Sequence, residues 1–256
     1  MTTGQQIRGE REYRHVLNKA TGEALTFRLS EGIFVPTHTS QLLIDVTLTA
    51  LTGRGMLLDL GCGIGVCGLV LGKLGACGLP VHLSDVSAVA TDLARENAER
   101  LDVPAVVRCG DLFAPWAGEQ FDVIVDDVSG VCEEIACASS WFPEGVGCAS
   151  GRDGAELVVR MLEQAPAHLK SGGTLIFPVL SLSNEVRILE TAHRVFADLT
   201  LLAERTWFLP EELAQRTDIL DPLQAAGFIQ LEYKFGAWLW RTRLYRATTA
   251  DSRTHE

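Results

Sequence analysis

A doubly wound α/β fold with a mostly parallel sheet is what this sequence predicts, and three observations carry the prediction. Between residues 56 and 125, short apolar runs alternate with amphipathic stretches, the pattern of strands crossed over by helices. The first strand-like run, Leu57-Leu58-Asp59-Leu60, enters a glycine-rich turn directly. Two aromatic runs near the end, 228–233 and 237–245, are joined only by Lys234-Phe235-Gly236, which predicts an antiparallel C-terminal pair. Together they give a Rossmann-like sheet of seven strands, and 256 residues suit one large domain.

The elements follow in order. Residues 1–18 are polar without a clear period and read as an irregular or helical lead-in. Residues 21–36 read as a hairpin turning at Ser30-Glu31-Gly32. From Ser40 the apolar spacing is helical, with Thr39 or Ser40 as cap. Strands are expected at 56–60, 81–84, 105–108 and 121–125, with helices at 65–74 and 88–100 between them. A helix over 157–169, bent by Pro166 and ended by Gly172-Gly173, leads to a buried strand at 174–179. A helix at 184–197, a strand at 200–206 and a helix near 210–226 precede the final pair. The stretch 128–153 fits no element; loops of that length in compact domains are usually functional.

Composition removes several function classes. No apolar run is long enough to span a bilayer, and the N-terminal stretch lacks the apolar centre of a signal peptide, so a cytoplasmic protein without membrane contact is expected. The seven cysteines form no CxxC pair, which argues for reduced thiols and no metal site. A net charge of −11 works against a nucleic-acid partner. Arg241, Arg243 and Arg246 read as a solvated edge. Nothing fixes the oligomeric state.

The chemistry concentrates at strand ends. Gly61, Gly63 and Gly65 let the backbone turn sharply and approach a ligand without side chains. A dinucleotide fingerprint starting at the strand end would need glycine at 66, where Val66 stands; Gly63, Gly65 and Gly68 fit it only in a late register. Asp85 closes the second strand, where a carboxylate accepts hydrogen bonds from both hydroxyls of a ribose or caps the next helix. Gly110-Asp111-Leu112-Phe113 follows the third strand and by itself is an ordinary turn.

In order and spacing these elements resemble the class I S-adenosylmethionine-dependent methyltransferases, from the glycine loop to about Val179. The resemblance implies that Asp59, Gly61, Cys62, Gly63, Gly65, Asp85, Val86, Asp111, Leu112 and Asp127 hold S-adenosylmethionine. Within that fold, Gly32-Ile33-Phe34-Val35-Pro36, Thr37 to Leu43, Gly110 to Phe113 and Gly151-Arg152-Asp153-Gly154 are similar to the release-factor glutamine methyltransferases. That narrower resemblance places Phe34, Thr39, Ser40, Val128 and Ser129 beside the acceptor.

Two departures qualify it. Only about 20 residues precede the hairpin, where those enzymes carry a substrate-recognising helical domain, so docking of a release factor is not expected. Where they carry Asn-Pro-Pro-Tyr, this chain has Asp127-Val128-Ser129-Gly130. A carboxylate only accepts hydrogen bonds, so Asp127 suits an amine or amide N–H and points to a different acceptor, a small molecule or a protein side chain. Trp141 is expected to close the pocket on a cation, aided by Glu133 and Glu134, unless these are a core tryptophan and a solvated helix face.

Residues 1–38 are expected to cover the cofactor site and 39–256 to form the catalytic domain. Asp127 is the expected orienting group and base, with His38 a second candidate base. The competing readings are an NAD dehydrogenase, an enzyme transferring or cyclising the aminobutyryl arm of S-adenosylmethionine, a non-catalytic module, and an RNA methyltransferase.

Overall fold

The computed structural model describes residues 11–18, 20–51, 53, 55–142, 148 and 150–249. Its main sheet runs β5-β4-β3-β6-β7-β10-β8. In chain order the central strands are β3 (Leu57–Leu60), β4 (Val81–Asp85), β5 (Ala105–Cys109), β6 (Phe121–Asp126) and β7 (Leu169–Leu180). These five are mutually parallel. The strands β8 (Asp198–Phe208), β9 (Glu232–Lys234) and β10 (Ala237–Thr248) complete it, β10 lying antiparallel to β7, β8 and β9. The predicted fold class is therefore the one observed, with the short β9 as an eighth strand off the main path.

Alternation along each strand sorts its side chains into two cores. Leu57, Val123 and Val125 face one cluster, covered by α1 (His38–Ala50), α2 (Val66–Lys73) and α3 (Ala88–Leu101). Leu58, Leu60 and Ile124 face the other, covered by α5 (Glu156–Gln164) and α6 (Glu185–Val195). A third cluster caps the carboxyl edge of the sheet, built from α4 (Glu133–Ala138), α7 (Glu211–Ala214), α8 (Thr217–Ala225) and Trp240 of β10.

Connection order explains where a ligand belongs. From β3 the chain steps outward through β4 to β5, then returns to the opposite side of β3 as β6. Open α/β sheets bind ligands outside the carboxyl ends at such a reversal. Here it falls between Leu60 and its register partner Asp126.

Several expectations need correction. The hairpin is β1 (Arg11–Asn18) with β2 (Glu23–Leu29), turning before Gly22, and not at Ser30 to Gly32. The period-2 signal in β1 is hidden because its buried position is His15, paired with Leu25 and flanked by half-buried Tyr13 and Leu17. Only residues 1–10 of the lead-in lie outside the described residues. Gly172-Gly173 does not end a helix; α5 stops at Gln164, and the pair forms an irregularity at the start of β7, between the partners Leu169 and Thr174 of β6. The helix expected near 210–226 splits where Arg216 leaves helical geometry (φ −89°, ψ 59°) and forks onto Asp218. Of the expected strand at 228–233, only its end pairs, as β9.

Candidate active site

The site begins with a backbone turn. The N–H groups of Gly61 and Cys62 both donate to the Ser84 carbonyl at 2.9 Å, tying the loop after β3 to the end of β4. Gly61 has φ +72°, and a Cβ there would lie 2.7 Å from Val128 Cγ1 and 3.0 Å from the Val128 nitrogen. Only glycine lets the two strand-end loops approach this closely. Gly63, at φ +52°, has open space where its Cβ would stand, so the outer side of the loop is clear for a ligand.

Four carboxyl groups surround this turn. Asp59 is fully buried and accepts from the Gly68 N–H at 2.7 Å, while its Oδ1 has no partner among the described residues. Burial pushes its carboxyl up to about 7, with the Gly68 bond pulling down and Asp127 and Asp85 pushing further up. Asp85 accepts from Gly63 N–H at 2.9 Å and Ser87 N–H at 2.8 Å. Its carboxyl is raised by desolvation, against those hydrogen bonds. The helix it was weighed as capping is capped by Ser87, whose hydroxyl accepts from Ala90 N–H. Val86 N–H also pulls on this carboxylate, whose roughly four acceptor sites still leave room for a sugar hydroxyl.

Asp126 ends β6 and Asp127 follows it, their side chains on opposite faces. Asp126 is fully buried, accepts weakly from Val128 N–H at 3.3 Å, and is pushed far above the carboxylate range by burial. Asp127 donates its N–H to the Leu60 carbonyl at 3.0 Å, so it abuts the glycine loop. Its side chain follows Val123 and Val125 to the α1 face, where the Ser40 hydroxyl donates to Oδ2 at 2.7 Å. Desolvation raises this carboxyl to about 7, against the Ser40 bond.

The first turn of α1 links the site to aromatic side chains. Thr37 caps the helix, accepting from Thr39 N–H, so neither Thr39 nor Ser40 is the cap. Thr39 meets Thr242 at 3.2 Å, and Thr242 accepts from the Trp207 indole at 3.0 Å. His38 stacks on Trp207 with ring centroids 5.0 Å apart, and Phe34 lies 5.2 Å from Phe142.

Other expected residues fall at different distances from this centre. Val86 follows Asp85 with 72% of its surface exposed, an apolar shelf beside the carboxylate. Leu112 is buried with φ 45°, whereas Asp111 turns outward to Arg160 at 2.5 Å. Ser129 contacts Cys148 at 2.9 Å, and Glu133 accepts from Gly151 N–H at 3.2 Å, so both help to hold the loop together. Trp141 packs on Trp240 at 5.6 Å within the third core.

Sequence reasoning missed three contributors. Asp126 was not singled out in the sequence. Asn97, buried inside α3, accepts from Arg28 N–H at 2.6 Å and donates to the carbonyls of Arg28 and Ile64, joining hairpin, helix and glycine loop. A buried asparagine on the apolar face of a helix was the available signal. Gly68 is required for packing: a Cβ would lie 2.4 Å from Leu83 Cδ2 and 3.0 Å from Asp59 Cβ.

Residues 24–127 match the family model of the methyltransferase small domain. The match spans the stretch from the first hairpin to the end of β6 and is a similarity of that stretch. A release factor glutamine methyltransferase of Streptococcus pneumoniae is 24% identical over 180 residues, covering 68% of this chain and 64% of that protein. A ribosomal protein uL3 glutamine methyltransferase of Xanthomonas campestris is 34% identical over 171 residues, covering 62% of this chain and 55% of that protein. The chain thus spans between half and two thirds of the length of these relatives.

Among solved structures, the T. thermophilus 16S rRNA N2 G1207 methyltransferase, in complex with AdoMet and guanosine, superposes with TM-score 0.60 at 18% identity. The superposition covers 96% of this chain and 52% of that one. The fold is that of the class I methyltransferases, and the resemblance drawn from the sequence is borne out by these matches. Among the described residues, no helix is long and apolar enough to cross a membrane.

Proposed function

We propose that the chain is an S-adenosylmethionine-dependent methyltransferase acting on the nitrogen of an amine- or amide-bearing small molecule or protein side chain. The observation that carries this reading is the junction of β3, β4 and β6, where Asp85 accepts from Gly63 N–H and Asp127 abuts Leu60, so one glycine loop lies between two carboxylates. The open space above Gly63 and the exposed Val86 beside Asp85 fit an adenosyl group. Gly61 to Gly65 and Asp59 would hold its amino-acid end, Asp85 its ribose, and Val86 with Leu112 its base; Asp111 takes a secondary place because Arg160 occupies its carboxylate.

When bound, S-adenosylmethionine supplies an electrophilic methyl group, so the protein has mainly to hold an acceptor nitrogen in line with it. Asp127 does this by accepting the N–H, and with a carboxyl near 7 it is poised to take the proton. The Val128 carbonyl is the second acceptor for the substrate nitrogen. His38 stands against Trp207, and we assign it to the acceptor side with Phe34, Thr39 and Ser40.

In this reading the part of 1–38 that is described, from Arg11 onward, lies over the glycine loop as a cover, tethered through Asn97, residues 1–10 lying outside the described residues, and the chain from 39 on forms the catalytic part. The protein acts in the cytoplasm, away from membranes. The charge of −11 favours an acceptor other than nucleic acid. Calorimetric titration tests the cofactor half. S-adenosylmethionine and S-adenosylhomocysteine should each bind at one site, NAD should not, and Asp85→Ala should weaken binding at least tenfold, in line with the loss of charge-assisted hydrogen bonds. Heat from NAD alone would overturn the reading.

A further inference from the structure

Resting on the proposed methyl transfer, we infer that the acceptor is an amine, arriving as an ammonium ion, and not the carboxamide that the names of the glutamine methyltransferase relatives imply for those proteins.

Hydrogen-bond capacity decides between the two. A carboxamide offers N–H donors and a carbonyl acceptor, so it is held best by a side chain that both accepts and donates. At the acceptor position stands Asp127, whose ionised form only accepts, and one of its oxygens is already bound by Ser40 at 2.7 Å. The backbone donors of Asp127 and Val128 are committed as well. Asp127 N–H goes to the Leu60 carbonyl, and Val128 N–H goes to Asp126 Oδ1. A carboxamide held between the Asp127 side chain and the Val128 carbonyl would find in these two residues no donor for its own carbonyl, the costly half of a lost hydrogen bond. An ammonium needs acceptors only, and the free oxygen of Asp127 with the Val128 carbonyl supplies two.

Charge points the same way. Asp59, Asp85, Asp126 and Asp127 lie at or beside the carboxyl ends of three adjacent strands, and none of the four forms an ion pair with a lysine or arginine among the described residues. Asp126 Oδ2 and Asp59 Oδ1 are buried without partners among the described residues. The sulfonium brings one positive charge to this set and an ammonium brings a second, which favours the ionised form of carboxyls that burial alone holds up. Around the turn of α1 that carries Ser40, the His38–Trp207 stack and the Phe34–Phe142 pair offer ring faces, which attract cations.

The step balances. The ammonium gives one proton to the Asp127 carboxylate, the freed nitrogen pair forms the new N–C bond, and the C–S bond breaks with its pair left on sulfur. The product is a methylated ammonium ion, and one proton per turnover leaves from Asp127 to solvent.

Matched probes provide the test. Benzylamine with benzamide, and the α-N-acetyl amides of lysine and glutamine, are offered to the whole chain with methyl-labelled S-adenosylmethionine. Binding of the first pair to S-adenosylhomocysteine-loaded protein is measured in parallel by calorimetry. The expected result is label in an amine and not in its carboxamide partner, at least tenfold tighter binding of benzylamine than benzamide, and loss of that preference in Asp127→Asn. Label in a carboxamide, label in no amine, or equal binding of the two probes overturns the inference. The wild-type preference decides the matter even if the variant fails to fold. A chain that binds no S-adenosylmethionine fails at the parent reading instead, which the cofactor titration detects separately.

Discussion

The hydroxyl of Ser40 donates to Oδ2 of Asp127 at 2.7 Å across 87 positions of sequence, so the first turn of α1 fixes the orientation of the carboxylate that immediately follows β6. A positioned base loses both geometry and acidity when such a bond is cut. Ser40→Ala is expected to lower kcat roughly tenfold and to move the pH midpoint of the rate upward, because a hydrogen bond to the charged form is removed. An unmoved midpoint would leave Ser40 with a packing role only.

Asp127 itself should dominate turnover. Asp127→Ala is expected to reduce kcat by about 100-fold to 10,000-fold, the usual range for a general base, while leaving the cofactor dissociation constant nearly unchanged. Single-turnover kinetics with the amine probe measure the first quantity and calorimetry the second.

The carboxyl near 7 sets a pH dependence whose sign is fixed. The base must be ionised, so log(kcat/KM) for the acceptor should climb with a slope near one below pH 7 and level off above it. A flat profile between pH 5.5 and 8 contradicts the role of Asp127 as base.

Stability without ligand should run the opposite way. Asp59, like Asp127, has a folded-state value of about 7 against 3.8 for the free side chain, so the folded chain holds more protons in this window. Unfolding free energy must therefore fall as pH rises from about 4 to 7, by up to about 1.4 kcal/mol per pH unit for each fully responding group. Asp59→Asn should flatten that slope in denaturant titrations, and an unchanged slope would place the coupled protons elsewhere.

What the sequence made legible was what local chemistry determines. The turn at Gly61 to Gly65 and the strand-end carboxylates Asp59, Asp85 and Asp127 were readable because glycine spacing and strand position act within a few residues. The first hairpin was misplaced because buried His15 disguised the alternation of β1. Asn97, Trp207 and Thr242 were invisible as site residues, since only the folded topology brings α3, β8 and β10 to the glycine loop and the first turn of α1. Asp126 was overlooked for a related reason: which face a strand's last residue takes depends on its neighbours in the sheet.

Asn97 gives a stability test of that topology. Asn97→Ala removes the hydrogen bonds that Asn97 makes with Arg28 and with the Ile64 carbonyl, which should cost about 1–3 kcal/mol and weaken cofactor binding by loosening the loop. Denaturant unfolding with and without S-adenosylhomocysteine separates the two effects.

The central claim is that the loop from Gly61 to Gly65 and the carboxylate of Asp85 receive S-adenosylmethionine. A crystal structure of the chain with S-adenosylhomocysteine tests it most directly. The account predicts both ribose hydroxyls within about 3 Å of the Asp85 oxygens, the amino-acid end over Gly61 to Gly65, and the sulfur facing Asp127. Ligand density at any other place in the fold would contradict it.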